Sequence, residues 1–150
     1  MEDTSATPGQ RITLVARLAT ADATVAATQN DLTYDPTVLT VVRKSNGRPD
    51  CSLDSDLDKN GTSFVFRPNG CNPAGPTFCT SIRAIVVATD NTDPIPDDSI
   101  LYTCHVDIAN LAPAGPATLT NSGVVLSDPL GAKVDGASGR EGEICIGQPG

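Results

Sequence analysis

The 150-residue sequence predicts an all-β protein in which two antiparallel sheets close over one core. Three observations carry this. Val, Thr, Ile and Leu recur in short alternating runs, the residue types and period that suit a pleated, half-buried surface. Thirteen Gly and twelve Pro interrupt those runs every few residues, as turns require. Helix formers are scarce: there are three Glu, three Lys and one Met, and the acid is almost entirely Asp, which favours turns and caps. With no Trp, three Phe and two Tyr, aliphatic side chains must fill the interior. No repeat or linker divides the chain, so residues 1–150 are expected to form a single domain.

The elements follow in order. "TPGQ" is a turn, and "RITLVARLAT" alternates, with Ile12, Leu14, Ala16 and Leu18 on one face. "VAATQNDLTYD" sets Gln29, Asp31 and Thr33 on its polar side. Asn30 falls with Leu32 on the other side, so it should be buried and hydrogen-bonded. Asp35-Pro36 turns the chain, and "VLTVV" resumes with Leu39 and Val41 together. Residues 44–62 read as loop. "SFVFRP" points Phe64 and Phe66 inward, and "NGCNPAGPTFC" is a connection between two cysteines. "TSIRAIVVATD" sets Ala84 and Val86 against Arg83, Ile85 and Val87. "ILYTCHVDIA" puts Tyr102, Cys104 and Val106 on one face and His105 on the other. "ATLTNSGVVLSDP" and "GEICIG" complete eight or nine strands, and in the last of them Cys145 points outward between Ile144 and Ile146. That number of strands suits a two-sheet sandwich.

The formal charge of −8, with no basic run, argues against nucleic acid or anionic membranes as partners. Five cysteines without a CxxC, beside a single His, do not have zinc or iron–sulfur spacing. Disulfides in an oxidising compartment are expected, with one thiol left over. Polar residues directly after Met1 suggest that a leader has been removed, so the protein is expected to be exported to the cell surface or beyond, without membrane insertion.

The order of "TPGQ", "ITLVARL", "LTYDPTVLTVV", "ILYTCHVDIA" and "APAGPATLT" resembles the cohesin family, the jelly-roll modules that bind dockerins in cellulosomes and related surface systems. "IRAIVVATDNTDPIPDDSILYTC" is similar to the cysteine-containing cohesin-like domains of environmental bacteria. The resemblance covers most of the chain. It implies a nine-stranded jelly-roll sandwich and a non-catalytic module that docks a dockerin-type protein on the outer face of one sheet. Carried over by pattern, that face would present Gln29, Asp31 and Thr33, then Val65 and Arg67, then Arg83, Ile85 and Val87. Type I cohesins place an Asn and an Asp, two residues apart, near the start of the first of these strands, where this chain has Ala27 and Gln29.

The resemblance also makes the strands around Cys71 and Cys79 sheet neighbours, so a Cys71–Cys79 bridge closes their connection easily and leaves Cys51 to pair with Cys104. The sequential alternative, Cys51–Cys71 with Cys79–Cys104, stays open. Cys145 would be unpaired or would join two molecules. The alternative function is a self-assembling module of a surface or filament protein, in which the same sheet edge or face makes the subunit contacts and Cys145 adds slight support.

Other features carry less chemistry. Asp56, Asp58 and Asn60, with Gly61 following, match positions one, three, five and six of a calcium loop, with Asp54 just before them, and Ca²⁺ is a possible ligand. Position twelve of that loop would be Arg67, where a bidentate Glu is needed, and a solvated acidic loop closed by Asn-Gly is the simpler reading. His105 has no Ser or Cys elbow beside it, so no triad forms and no enzyme is expected. Carbohydrate binding ranks below protein binding, because Trp is absent and both Tyr are expected to be tied up inside.

Overall fold

The computed structural model describes residues 1–72 and 75–147, and these contain ten strands and no helix. They are β1 (Thr4–Ala6), β2 (Arg11–Arg17), β3 (Ala27–Thr33), β4 (Leu39–Val41), β5 (Cys51–Leu53), β6 (Ser63–Arg67), β7 (Ser81–Val86), β8 (Ile100–Ile108), β9 (Gly115–Ser127) and β10 (Gly142–Ile146). A six-stranded sheet runs β1-β10-β9-β3-β7-β6, and a second runs β2-β8-β4 with β5 also paired to β8. The fold is a two-sheet β-sandwich with jelly-roll topology.

The expected count of nine is corrected to ten. Neither β1 nor β5 is foreseen in the sequence, where residues 44–62 read as loop. Both are three residues long, too short to show a period, and pairing makes them strands. Thr4, Ser5 and Ala6 run parallel to Ile144, Cys145 and Ile146. Cys51, Ser52 and Leu53 lie opposite Cys104, Thr103 and Tyr102.

β4 and β5 occupy one edge of β8 end to end. Residues 42–50 leave that edge as a small hairpin. The Val42 N–H donates to the His105 carbonyl (2.9 Å), the His105 N–H donates to the Asp50 carbonyl (3.0 Å), and the Asp50 N–H closes back on the Val42 carbonyl (2.7 Å). The excursion therefore begins and ends at a single position of β8.

Alternation decides the core, as the sequence implies. Ile82, Ala84 and Val86 of β7 are fully buried, as are Val106 of β8 and Ile144 of β10, with Leu14, Leu32 and Leu39 nearly so. Phe64 meets Tyr102 edge-on across the sheets, with ring centroids 5.2 Å apart. The corner after β3 also packs inward. Tyr34 is buried, and burial pushes its phenol up to about 12, opposed in part by a hydrogen bond with the Val41 backbone. Asp35 Oδ1 accepts the Thr37 N–H (2.9 Å) and hydroxyl (2.6 Å), a side-chain-closed turn that holds the carboxyl below its usual range.

Asn30 is buried and partnered, as its place beside Leu32 demands. The Tyr102 hydroxyl, from the opposite sheet, donates to its Oδ1 at 3.0 Å, and its Nδ2 donates to Asn121 Oδ1 at 3.0 Å. Burial raises the Tyr102 phenol further than that of Tyr34. Asn30→Leu strands both partners, so we expect it to lower the unfolding free energy by about 3 kcal/mol. Adding Tyr102→Phe should recover part of that loss, because one orphaned donor disappears with it. Urea unfolding of the two variants checks both statements.

The structure joins Cys51 to Cys104 and Cys71 to Cys79, which excludes the sequential pairing.

Candidate functional site

The outward residues of β9, β3, β7 and β6 form one continuous surface, because these strands are neighbours in the large sheet. Strand register arranges it in three rows: Arg67, Ser81, Thr33 and Thr120; then Val65, Arg83, Asp31 and Ser122; then Ser63, Ile85, Gln29 and Val125. Each row holds side chains that point away from the core, since the residues between them (Thr28, Asn30 and Leu32 of β3; Ile82, Ala84 and Val86 of β7) are buried. The structure thus gathers Gln29, Asp31, Thr33, Val65, Arg67, Arg83 and Ile85 on one face. Val87 lies just past the end of β7, where its carbonyl accepts the Gly61 N–H at 2.8 Å.

At the centre, Arg83 grips Asp31 with two parallel bonds, Nε to Oδ1 at 2.8 Å and Nη2 to Oδ2 at 3.0 Å. The two residues are directly opposed in register, which suits a bidentate fork. These hydrogen bonds, with the attraction of the carboxylate, raise the guanidinium above its ordinary value. Both side chains are only partly exposed, at 33% and 22%, so the pair is held in place by its surroundings. Three partly exposed apolar side chains share the face with it: Val65 opposite Arg83, and Ile85 and Val125 in the next row.

The contribution of β9, Thr120, Ser122 and Val125, is missed by sequence reasoning. The register slips by one residue between Gln29 and Asp31, so β9 carries an extra residue there and its alternation breaks. Gly123 makes this bulge with φ of +60°, and a side chain at that position would stand 3.1 Å from Asp31 Oδ2. The Asn-Ser-Gly triplet at 121–123 is the turn-type signal for it in the sequence.

The polar groups of the acidic loop are engaged in hydrogen bonds within the chain. Asp54 Oδ2 accepts the Asp56 N–H at 3.2 Å. The Asn60 side chain is engaged with Thr89, accepting its N–H at 2.8 Å and donating to its hydroxyl at 3.1 Å, while the Asp58 carbonyl accepts Asn91 Nδ2 at 2.9 Å. Among the described residues, no three His, Cys, Asp or Glu side chains are placed to hold a metal ion. The loop is pinned by Lys59, which is buried and donates to Asn91 Oδ1 (3.1 Å) and the Asp93 carbonyl (2.8 Å).

His105 projects from the outer side of the smaller sheet and pairs through Nδ1 with Asp50 Oδ2 at 3.0 Å. Cys145 is a free, exposed thiol on β10. A 3.6 Å contact between its Sγ and Glu143 Oε1, more than any burial, pushes the thiol above its ordinary value. A cavity of about 150 Å³ lies between the sheets, with Asn30, Tyr102 and Asn121 at its polar end. No helix among the described residues is long and apolar enough to cross a membrane.

No protein-family model matches this chain, and no curated protein matches it. Solved structures do. CaCohA2 from Clostridium acetobutylicum, determined in solution, is similar at 22% identity with a TM-score of 0.71, covering 97% of this chain and 86% of that one. The sixth cohesin of scaffoldin B from Acetivibrio cellulolyticus, in complex with a Cel5 dockerin variant, is similar at 16% identity and a TM-score of 0.74, covering 97% and 95%. A non-cellulosomal cohesin from the hyperthermophilic archaeon Archaeoglobus fulgidus is similar at 19% identity and a TM-score of 0.67, covering 98% and 88%. At such identities the likeness is one of fold.

Proposed function

We propose that this chain, whose fold is that of a cohesin, is a non-catalytic docking module that takes a dockerin-type protein on the outer face of β9, β3, β7 and β6. One observation carries the reading: the apolar trio Val65, Ile85 and Val125 beside the fixed Arg83–Asp31 pair. The outer face of an antiparallel sheet is ordinarily polar, so three partly exposed apolar side chains beside the ion pair favour a surface that another protein covers. The ion pair is already ordered, which reduces the side-chain entropy lost on docking.

Ala27 and Gln29 stand where type I cohesins carry Asn and Asp, so the partner must offer a different polar complement at that end of the face. Tyr34 and Tyr102 are both buried, which removes the rings that a sugar-binding platform would present. The two disulfides fit an exported protein. Self-assembly has less support, because the exposed free thiol of Cys145 is the one feature that adds to it.

Calorimetric titration of the domain with the dockerins encoded by the same organism tests this directly. Saturable one-to-one binding by at least one of them is the expected result. Absence of heat and of complex for every one of them overturns the dockerin reading.

A further inference from the structure

On one side of the sandwich β6 and β5 are the last strands of their sheets, each hydrogen-bonded to a single neighbour, β7 and β8 respectively. Two clefts, of about 330 and 570 Å³, open along β6, and Asn46 and Arg48 of the 42–50 hairpin border both. Arg48 Nη1 divides them by donating to the Phe64 carbonyl at 3.3 Å.

That contact fixes which way the strand faces. The Phe64 carbonyl points away from β7 and into the cleft. In an antiparallel strand the N–H and C=O of one residue point to the same side, and this side recurs every second residue. Phe64 and Phe66 therefore turn their backbone groups toward the open edge. β6 contains no Pro, one of the devices that blunt such an edge.

The charge at this edge is opposite to that of the whole molecule. The chain carries −8, yet Arg43, Lys44 and Arg48 are all exposed on the hairpin and form no ion pair among the described residues. Arg11, Arg17, Arg83 and Arg140 are each paired with an acid. The carboxylate at the foot of the hairpin, Asp50, is turned to His105. Three free cations beside an open strand edge form a local positive field on an acidic protein.

We propose that β6 accepts an extended acidic segment of a protein partner as an added strand, with its carboxylates held by Arg43, Lys44 and Arg48. Backbone bonds to Phe64 and Phe66 supply the affinity, and the hairpin cations select acidic sequence. Arg48 exchanges the Phe64 carbonyl for a partner carboxylate as the strand enters. This edge adjoins the outer sheet face at Val65, which borders one of the clefts, but Arg43, Lys44 and Arg48 lie outside that face, so the two sites can fail independently.

A labelled synthetic peptide alternating Asp with Val is the probe, followed by fluorescence anisotropy and by amide shifts of the domain. Expected are saturable binding that weakens with salt, at least tenfold loss in the Arg43→Glu/Lys44→Glu variant, and shifts centred on the Phe64 and Phe66 amides. A peptide alternating Lys with Val should not bind. Failure of the Asp peptide to bind overturns the proposal, as does equal binding by the reversed variant. Shifts confined to the outer face of β3 and β7, or undiminished binding of a backbone N-methylated Asp peptide, overturn strand addition. Arg43→Gln/Lys44→Gln replaces the reversal if that variant does not fold. Dockerin titration of either variant should be unchanged, which separates this site from the docking face.

Discussion

Replacing Cys51 and Cys104 together with alanine is expected to lower the unfolding free energy by about 4 kcal/mol, measured by urea unfolding. The bridge closes a separation of 53 residues, and the loop-closure relation gives roughly that value for a loop of this length. A domain of ordinary stability has about 5–15 kcal/mol in total, so the loss is a large share of it. The Cys71–Cys79 bridge spans only 8 residues, and removing it should cost about 2.5 kcal/mol by the same relation. Equal losses from the two deletions would show that lost packing, rather than chain entropy, sets the effect. Both Cys51 and Cys104 are buried, so a packing contribution is present at that site.

Ile85→Asp is expected to weaken partner binding by at least a hundredfold, or about 2.7 kcal/mol, while leaving the urea midpoint nearly unchanged. Ile85 lies between Ser63 and Gln29 in the row next to the Arg83–Asp31 pair, on the outer side of the sheet. Burying a carboxylate there under a partner would leave it without a counter-charge, since Arg83 is committed to Asp31. Calorimetry on the variant decides the matter: binding at the unsubstituted strength would move the contact surface off these strands.

Much of this molecule can be read from its sequence because alternation is a local signal. The inner and outer faces of β2, β3 and β7 follow from a period of two. So does the burial of Asn30, whose partners Tyr102 and Asn121 come from distant strands. The turn at Asp35-Pro36 is written in its residue types. What escapes is long-range. β1 and β5 are strands only because β10 and β8 lie beside them, and three residues carry no period. The β9 residues of the proposed docking face escape because a single glycine bulge shifts their register. The basic edge escapes for another reason. Arg43, Lys44 and Arg48 are scattered among polar loop residues, and only the fold sets them beside β6 while pairing Arg11, Arg17, Arg83 and Arg140 with acids elsewhere.

The hairpin of residues 42–50 has a further consequence, for how such a domain can diversify. Its entry and exit are hydrogen-bonded to each other and to one residue of β8, and the Cys51 bridge anchors the chain immediately beyond. Residues added there would shift no strand pairing on either side. Their cost is loop closure, about 0.6 kcal/mol for each doubling of length. The position is therefore suited to grafting: a longer or differently charged loop could be inserted between Val42 and Asp50, and the sandwich that presents it would keep its register.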